Sequence, residues 1–407
     1  MNAIYRRGAC PSLSSPMQTG DGLLVRINPK FGNLSPRQLA GIAAAAERHG
    51  NGVLEITSRG SLQVRGLSPA SVASFGEDIA ALGVDALSGV QIGVGPLAGL
   101  DASEIADPRP LAEAVRIAVV ERDLSALLAP KVSVVVDGGG ALNLSGVMAD
   151  IRVEADGEGW VVMAGGGRED ARVVGRGNAE SAVAAAISLI EALAASGRET
   201  RGRDLQAEAL SRAGKSLESS KRPERPASVA PVGSFALKGG AIARGFALSF
   251  GQMRASALSE FAEAIDPCHE IRLAPGKGLL VIGSPADEDC GMVAAAERLG
   301  LVTRADDPRL RIVTCAGAPN CASAFLPTRD IAARLVRNHP ETLPAEGMVH
   351  VSGCAKQCAK PAGPSLSLIG AAEGCGFVAE GMEAGTEIRR VLSALATPHI
   401  PERRRSA

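Results

Sequence analysis

Four cysteines in two close pairs are the residues whose type and spacing most clearly predict chemistry. Cys315 and Cys321 are separated by five residues, and Cys354 and Cys358 by three, with glycine and proline close to each pair. Glycine lets the backbone turn tightly, and four thiolates on loops that converge are what an iron–sulfur cluster requires. The pattern therefore predicts that these four cysteines are the metal ligands of a cluster.

Two alternatives compete for the same thiols. Structural zinc sites favour cysteine pairs separated by two to four residues, and one pair here is separated by five. Ordinary buried cysteines are the weaker interpretation, because both pairs lie in loops. The remaining cysteines stand alone and are interpreted as buried or incidental thiols, namely Cys10, Cys268, Cys290 and Cys375.

Composition limits the class of the protein. Its 407 residues, of which 46% are hydrophobic, suffice for two to four domains of roughly 100–200 residues with their own cores. Disorder, collagen and a disulfide mini-protein are excluded. The formal net charge of −1 argues against a nucleic-acid or membrane-surface partner, because such proteins present a broad basic field. A polyanionic ligand would therefore need a local cluster of Lys and Arg.

The sequence also predicts the cellular compartment of the protein. Its N-terminal residues contain no apolar leader segment, and charges interrupt each apolar stretch before the ~18 residues that span a bilayer. We therefore expect a cytoplasmic protein. A reducing cytosol favours metal-bound or buried thiols over disulfides.

An internal repeat supplies the elements that must position these cysteines. Residues 31–43 align without gaps on 250–262, and both segments have the apolar spacing of a helix, which includes Leu34 and Met253. Strand-like runs precede and follow each helix. The first copy also carries the residues of a capped helix N-terminus, namely Ser35, Pro36 and Gln38.

A second unit follows each of these and is also duplicated. It consists of a helix, a strand that ends in glycine, and two further strand-like runs. These segments are residues 111–120, 131–140 and 149–166 in the first half, and 329–338, 347–354 and 365–381 in the second. Chance self-alignment of a chain rich in alanine and glycine is the alternative, but the order of units is the same on both sides of a charged, Ser/Pro-rich break at 196–231.

The cysteine spacing behind two such repeats resembles that of the nitrite and sulfite reductase family. Residues 57–66 also resemble the family's T-x-R-x-x-x-Q strand motif, which Arg59 and Gln63 match. The resemblance implies a [4Fe–4S] cluster on the four cysteines and an active-site role for Arg59. In the reductases the last cysteine, Cys358 here, also bridges the cluster to the iron of sirohaem.

The resemblance implies a fold and its domains. The fold is α+β with α/β layers, a pseudo-twofold repeat of a ferredoxin-like half-domain plus an α/β unit. The expected domains are 1–85, the first ferredoxin-like half; 86–200, the first α/β unit without a cluster; 201–232, a linker; 233–298, the second ferredoxin-like half; and 299–407, the second α/β unit with the cluster.

Within the family the chain is most similar to the branch that acts on precorrins. The similar segments are residues 6–27, 57–66, 96–101, 137–152 and 350–361. This resemblance implies an oxygen-dependent mono-oxygenase of aerobic cobalamin biosynthesis, which converts precorrin-3A to precorrin-3B by meso-carbon hydroxylation and γ-lactone formation. A sirohaem-dependent sulfite or nitrite reductase is the alternative function, and a non-catalytic iron–sulfur electron carrier is a second.

The same resemblance implies a mononuclear non-haem iron. The 2-His-1-carboxylate pattern has no clear match, although His350 and His269 are candidates. Residues 175–180 fail as a dinucleotide fingerprint because Glu180 replaces the third glycine, so we expect an external ferredoxin or reductase that carries electrons from NADH.

A reduced tetrapyrrole carries many carboxylates, so its site should gather basic side chains around an apolar slot. The predicted substrate-binding residues are Arg6, Arg26, Arg59, Gln63, Arg65, Lys131, Lys356 and Lys360, and of these Arg59 and Lys131 are the catalytic candidates. The set departs from that of the reductases at two places. Ser133 stands where they carry a second lysine after Lys131, and Val90 and Gln91 replace an Arg-Asn pair.

Overall fold

The computed structural model describes residues 11–87, 89–283, 291–361, 363–383 and 385–397, which form four β-sheets with helices between them. The predicted substrate residue Arg6 and the unpaired Cys10 and Cys290 lie outside this described part of the chain. Among the helices that are described, none is both long enough and apolar enough to cross a membrane.

The first sheet is antiparallel and lies mainly in the N-terminal part of the chain. In spatial order its strands are β1 (Met17–Thr19), β2 (Gly22–Ile27), β5 (Leu62–Leu67), β4 (Val53–Ile56) and β13 (Gln252–Arg254). Helices α1 (Pro36–His49) and α2 (Val72–Ala81) share a buried core with it. The capping box of α1 is confirmed, because the Ser35 hydroxyl accepts from Gln38 N at 3.1 Å and the Gln38 amide oxygen accepts from Ser35 N at 2.9 Å.

The corresponding sheet of the second half has the same antiparallel arrangement. Its strands, in spatial order, are β11 (Gly233–Ala236), β12 (Ile242–Ala247), β15 (Gly278–Gly283), β14 (Glu270–Ala274) and β3 (Asn33–Leu34). Helices α6 (Ala255–Glu263) and α7 (Met292–Arg298) belong to this half.

The two ferredoxin-like halves exchange edge strands. Leu34 of β3 pairs with Ile271 of the second half, and Met253 of β13 pairs with Leu54 of the first. The prediction that Leu34 and Met253 belong to helices was therefore wrong. Each lies in an exchanged strand, and the helix that follows begins two residues later. Their spacing suits a helix, but their burial comes from a sheet in the other half. Both halves consequently share one hydrophobic core.

The two α/β units have a common topology, as the repeat predicts. The first contains β6 (Gln91–Val94), β7 (Ser133–Asp137), β8 (Ile151–Ala155), β9 (Trp160–Ala164) and β10 (Arg172–Gly177), with α3 (Arg109–Glu121), α4 (Ala179–Ala195) and α5 (Ala207–Ala213). The second contains β16 (Ile312–Thr314), β17 (Met348–Ser352), β18 (Ser365–Ala371) and β19 (Gly374–Glu380), with α8 (Thr328–Asn338) and α9 (Thr386–Ala396). In each, three adjacent strands run parallel and the next is antiparallel.

The segment 201–232, predicted as a linker, is partly folded onto the first α/β unit. Helix α5 lies within it and contributes Ala213 to that unit's core. Further along, Arg176 and Glu218 exchange two backbone hydrogen bonds of 2.8 Å. The charged composition of this segment is therefore that of a chain packed on the protein surface, not of a free linker.

A buried ion pair on β8 should make the first α/β unit sensitive to the loss of either partner. Arg152 and Glu154 are fully buried, with 2.9 Å between Arg152 Nε and Glu154 Oε1, and Arg152 Nη2 also donates to Leu144 O at 2.9 Å. We expect Arg152→Met to cost about 3 kcal/mol of folding free energy, because it leaves a buried carboxylate short of a partner. Thermal melting checks this, with Arg390→Met in an exposed pair as the matched control. Equal melting temperatures for the two variants would contradict it.

Candidate metal centre and substrate site

Two adjacent parallel strands bring the cysteine loops together. Cys315 follows β16 directly, and Cys354 lies two residues beyond β17. These strands pair in parallel, with Thr314 opposite Val351, and Cys315 N donates to Val351 O at 3.4 Å. The carboxyl ends of adjacent parallel strands lie at one edge of a sheet. Both cysteine loops therefore leave the sheet at the same place.

Backbone contacts hold the two loops against each other. Phe325 N donates to Gly353 O at 2.8 Å, and Gly353 N donates to the Cys315 sulfur at 3.2 Å. A side chain at Gly353 does not fit, since a Cβ there would stand 2.6 Å from the Cβ of Ala324. An N–H donor aimed at sulfur favours the thiolate, and such hydrogen bonds are typical of cluster ligands. The glycine before Cys354 is thus required by the packing of the loops.

The donor set fits a four-iron cluster. All four cysteines are free thiols, of which Cys315, Cys321 and Cys354 are half-buried and Cys358 is exposed. Gln357, between the last two, has a φ of 47°, which is a left-handed conformation. Four thiols on two hydrogen-bonded loops match the requirement of such a cluster for converging thiolates.

The first α/β unit closes its corresponding loops with a carboxylate. Asp101 is buried, and its Oδ2 accepts from Ala141 N at 2.7 Å while its Oδ1 accepts from Ser103 N at 2.8 Å. A Cβ at Gly140 would stand 2.5 Å from Asp101 Oδ2. The side chain of Asp101 therefore fills the space beside the glycine-rich turn, and this copy has no cysteine there.

Arg26 and Gln63 lie side by side on the first sheet. They are cross-strand partners, and Arg26 Nη2 donates to the Gln63 side-chain oxygen at 2.6 Å. Gln63 is 6% exposed, and on the other side of β5 it is the cross-strand partner of Glu55 on β4. The structure thus brings together two of the predicted substrate residues in one polar row.

Arg59 reaches from the tip of the β4–β5 hairpin to the first α/β unit. Its Nη1 donates to Ser133 Oγ at 3.1 Å and its Nη2 to Met148 O at 2.8 Å. Ser133, which replaces the second lysine of the reductases, is thereby an anchor for Arg59. Lys131 lies two residues earlier in an exposed turn, where its carbonyl accepts from Arg201 Nη2 at 3.1 Å.

Three of the predicted substrate residues are engaged elsewhere. Arg65 pairs with Asp21, with Nε 2.8 Å from Oδ2 and Nη2 2.9 Å from Oδ1. The other two are exposed on the cysteine loop, where Lys356 Nζ lies 3.3 Å from Ser323 Oγ and Lys360 Nζ 2.6 Å from Glu380 Oε1.

Sequence reasoning missed a buried lysine in the turn between β14 and β15. Lys277 has a φ of 69°, and its buried Nζ has no hydrogen-bond partner among the described residues. Burial lowers the pKa of Lys277 to about 8, although the charge of Glu55 opposes this. The chain offered one signal, a lysine between two glycines after a strand, which is an unusual place for a buried charge.

The two histidines considered as iron ligands lie on different elements of the fold. His350 is buried on β17, where its Nδ1 lies 3.0 Å from Ser367 Oγ. His269 lies in the loop between α6 and β14 with Asp266 and Cys268, and one ligand atom of each lies within 4.8 Å of the others. The mononuclear iron implied by resemblance therefore receives no ligand assignment from these positions.

His350 should make stability depend on pH. Burial, aided by the charges of Lys277 and Lys360, lowers its pKa from 6.5 to about 4. Between these values the unfolded chain binds the proton and the folded protein does not, so folding free energy is lost as the pH falls from about 6.5 to 4. We expect a loss of about 3 kcal/mol over this window.

Thermal melting between pH 7 and 4 checks this expectation. His350→Asn keeps a partner for Ser367 and removes the titrating ring, so its melting temperature should fall less steeply with pH than that of the parent protein. The same pH dependence in both proteins would contradict the burial of a neutral His350.

Comparisons with known proteins identify a matching family model, a related sequence and a structure of similar fold. A family model described as the nitrite/sulfite reductase ferredoxin-like half domain matches residues 15–82. A curated relative from Sinorhizobium sp., named precorrin-3B synthase, is 43% identical over 389 residues, which cover 94% of this chain and 85% of the relative. The structure of the NirA protein of Mycobacterium tuberculosis superposes with a TM-score of 0.68 over 88% of this chain and 73% of that one, at 20% identity, and so supports the fold.

Proposed function

The chain belongs to the precorrin-3B synthase family, and we propose on this premise that it is an iron–sulfur mono-oxygenase that converts precorrin-3A to precorrin-3B. The reaction places one atom of dioxygen on a meso carbon and reduces the other to water, which consumes two electrons and two protons. Closure of the γ-lactone then joins a substrate carboxylate to the ring. The enzyme is an oxidoreductase, and its relative's 43% identity over most of the chain carries the assignment.

We propose that Cys315, Cys321, Cys354 and Cys358 hold a [4Fe–4S] cluster. The support is the common edge from which both loops leave the sheet, together with the N–H donor from Gly353 to the Cys315 sulfur. When bound, the cluster would carry single electrons from an external donor toward the reaction site. A mononuclear non-haem iron would supply the activation of dioxygen in the mono-oxygenase, whereas sirohaem belongs to the alternative function of a sulfite or nitrite reductase.

The electron donor and the location are part of this proposal. We infer a separate ferredoxin or reductase that draws its electrons from NADH, since residues 175–180 lack the third glycine of a dinucleotide site. Thiolate ligands stay available in a reducing compartment, so we infer a cytoplasmic location.

Arg59, with Arg26, Gln63 and Lys131, forms the proposed carboxylate-binding set. Arg59 is held in place by Ser133 and Met148, which leaves its guanidinium plane fixed between the hairpin and the first α/β unit. A fixed guanidinium recognises a carboxylate at a lower entropic cost than a mobile one. Arg26 is oriented in the same way by Gln63. These residues would bind and orient the acetate and propionate groups of the tetrapyrrole.

Isotopically labelled dioxygen tests the activity. Holoprotein with precorrin-3A, dioxygen and a reductant should yield a product that gains a single oxygen atom from the labelled gas, as mass spectrometry measures. Omission of dioxygen should abolish the product. Reduction of sulfite or nitrite by a protein with sirohaem absorption, without oxygen incorporation into precorrin-3A, would overturn the proposal.

Ligand substitution tests the cluster. Cys315→Ser and Cys354→Ser should lose most of the bound iron and acid-labile sulfide, because serine is a poor ligand for these irons. Cys375→Ser, a half-buried thiol on β19, is the matched control and should keep both. Iron and sulfide contents in the two ligand variants equal to those of the control would refute the assignment.

Arg59→Ala should weaken substrate binding without loss of the cluster. Removal of one charge-assisted hydrogen-bond donor costs about 1.5–3 kcal/mol, so we expect a roughly 10- to 100-fold higher Kd for precorrin-3A. Spectrophotometric titration measures this, and Arg390→Ala on the exposed face of α9 is the control. An unchanged Kd would remove Arg59 from the site.

A further inference from the structure

The turn between β1 and β2 lies directly against a cysteine of the other half of the chain. Ala322 N donates to Gly20 O at 3.1 Å. A Cβ at Gly20 would stand 2.7 Å from the Cys321 sulfur, so this turn and the thiol are in van der Waals contact with no room for a side chain. The first sheet therefore touches the proposed metal centre at Cys321.

Asp21, the next residue of this turn, holds Arg65 beside the same cysteine. The fork of Arg65 binds both oxygens of Asp21, and its Nη1 lies 3.6 Å from Glu55 Oε2. The Arg65 and Asp21 side chains are only 13% and 6% exposed. Burial by itself raises the pKa of Asp21, but the hydrogen bonds and charge of Arg65 outweigh burial and hold that pKa below its ordinary value. The pair is therefore ionised and fixed.

The negative charge of Glu55 does not neutralise Arg65 completely, because two other cations also interact with Glu55. Lys277 and Arg329 are both attracted electrostatically to Glu55, and Arg329 also donates to Gln252 O at 3.1 Å. Lys277 Nζ and Arg329 Nε are buried without a hydrogen-bond partner among the described residues. This network of Asp21, Glu55, Arg65, Lys277 and Arg329 holds more positive than negative groups. It therefore holds a formal excess of one positive charge.

A fixed charge near a cluster acts on its reduction. Reduction adds an electron to a cluster that its thiolates already make anionic, and the potential depends on net charge, hydrogen bonds and solvent exposure. A buried cation stabilises the reduced form more than an exposed one, since water screens it less. Arg65 is the cation of this network whose charge acts on Cys321.

We propose that Gly20 positions the Cys321 ligand and that the buried charge of Arg65 raises the reduction potential of the cluster, while the charge of Asp21 opposes this rise. This inference rests on the proposed function, because it requires the cluster. Gly20 fixes the sulfur by contact, and Asp21 fixes the guanidinium that stabilises the added electron. Arg65 would thereby serve electron transfer.

Redox titration of the holoprotein, followed by the EPR signal of the reduced cluster, tests the proposal. R65Q removes a positive charge and should lower the potential, whereas D21N removes a negative charge and should raise it. Both variants break the same fork, so a purely structural role would move the two potentials in one direction. R390Q removes an exposed cation from α9 and should leave the potential unchanged.

The outcomes separate this inference from the proposed function. Potentials of R65Q and D21N that shift in the same direction, or not at all, would overturn the inference while a normal cluster leaves the proposed function standing. If R65Q fails to hold its cluster, R65K replaces it. The reduction potential of D21N should then be higher than that of R65K, and an equal or lower potential would overturn the inference. A parent protein without iron or sulfide would overturn both.

Discussion

The parallel pairing of β16 with β17 is the interaction on which the candidate metal centre depends. Three residue pairs, from Ile312 opposite Val349 to Thr314 opposite Val351, bring two loops to one edge of a buried sheet. The core beneath them, built with α8 and α9, fixes both strands. Cysteines from distant parts of the sequence need no disulfide to meet there. Loss of this pairing would separate Cys315 and Cys321 from Cys354 and Cys358.

The pseudo-twofold repeat explains why one chain contains a metal centre and a counterpart without cysteines. Both α/β units present a pair of loops at the same edge of a mixed sheet. In the first unit, the carboxylate of Asp101 accepts backbone N–H groups and closes the loops by hydrogen bonds. In the second, four thiols stand in the corresponding region. One architecture thus carries a polar structural closure in one copy and candidate metal ligands in the other.

The exchanged edge strands join the two ferredoxin-like halves, and the turn at Gly20 connects the first sheet to the cysteine-bearing unit. Because β3 and β13 each complete the sheet of the other half, the two ferredoxin-like halves form a rigid base with one core. The polar face of that base carries Arg26, Gln63 and the charged network at Glu55. The groups proposed for a carboxylate-rich ligand and the charge proposed to act on the metal centre thus lie on the same face, because Gln63 and Arg65 are two positions apart on β5.

The sequence was sufficient for features that are encoded locally. The cysteine spacing, the capping box of α1 and the strand–helix order of both repeats depend on neighbouring residues, and each is visible without a structure. Strand β16 has three residues, which are too few for an alternating hydrophobic pattern to predict a strand. Leu34 and Met253 carry helical spacing but pair with strands of the other half, and the contact of Gly20 with Cys321 joins residues that no local pattern relates. Long-range pairing decides these features.

The metal and sulfide content of anaerobically purified protein tests the central claim most directly. Elemental analysis with sulfide determination and an absorption spectrum should give a brown protein with about four iron and about four sulfide ions per chain, and a small excess of iron if a mononuclear site is also filled. Zinc without acid-labile sulfide would contradict the account, because the four thiols would then form a structural zinc site with no capacity for electron transfer.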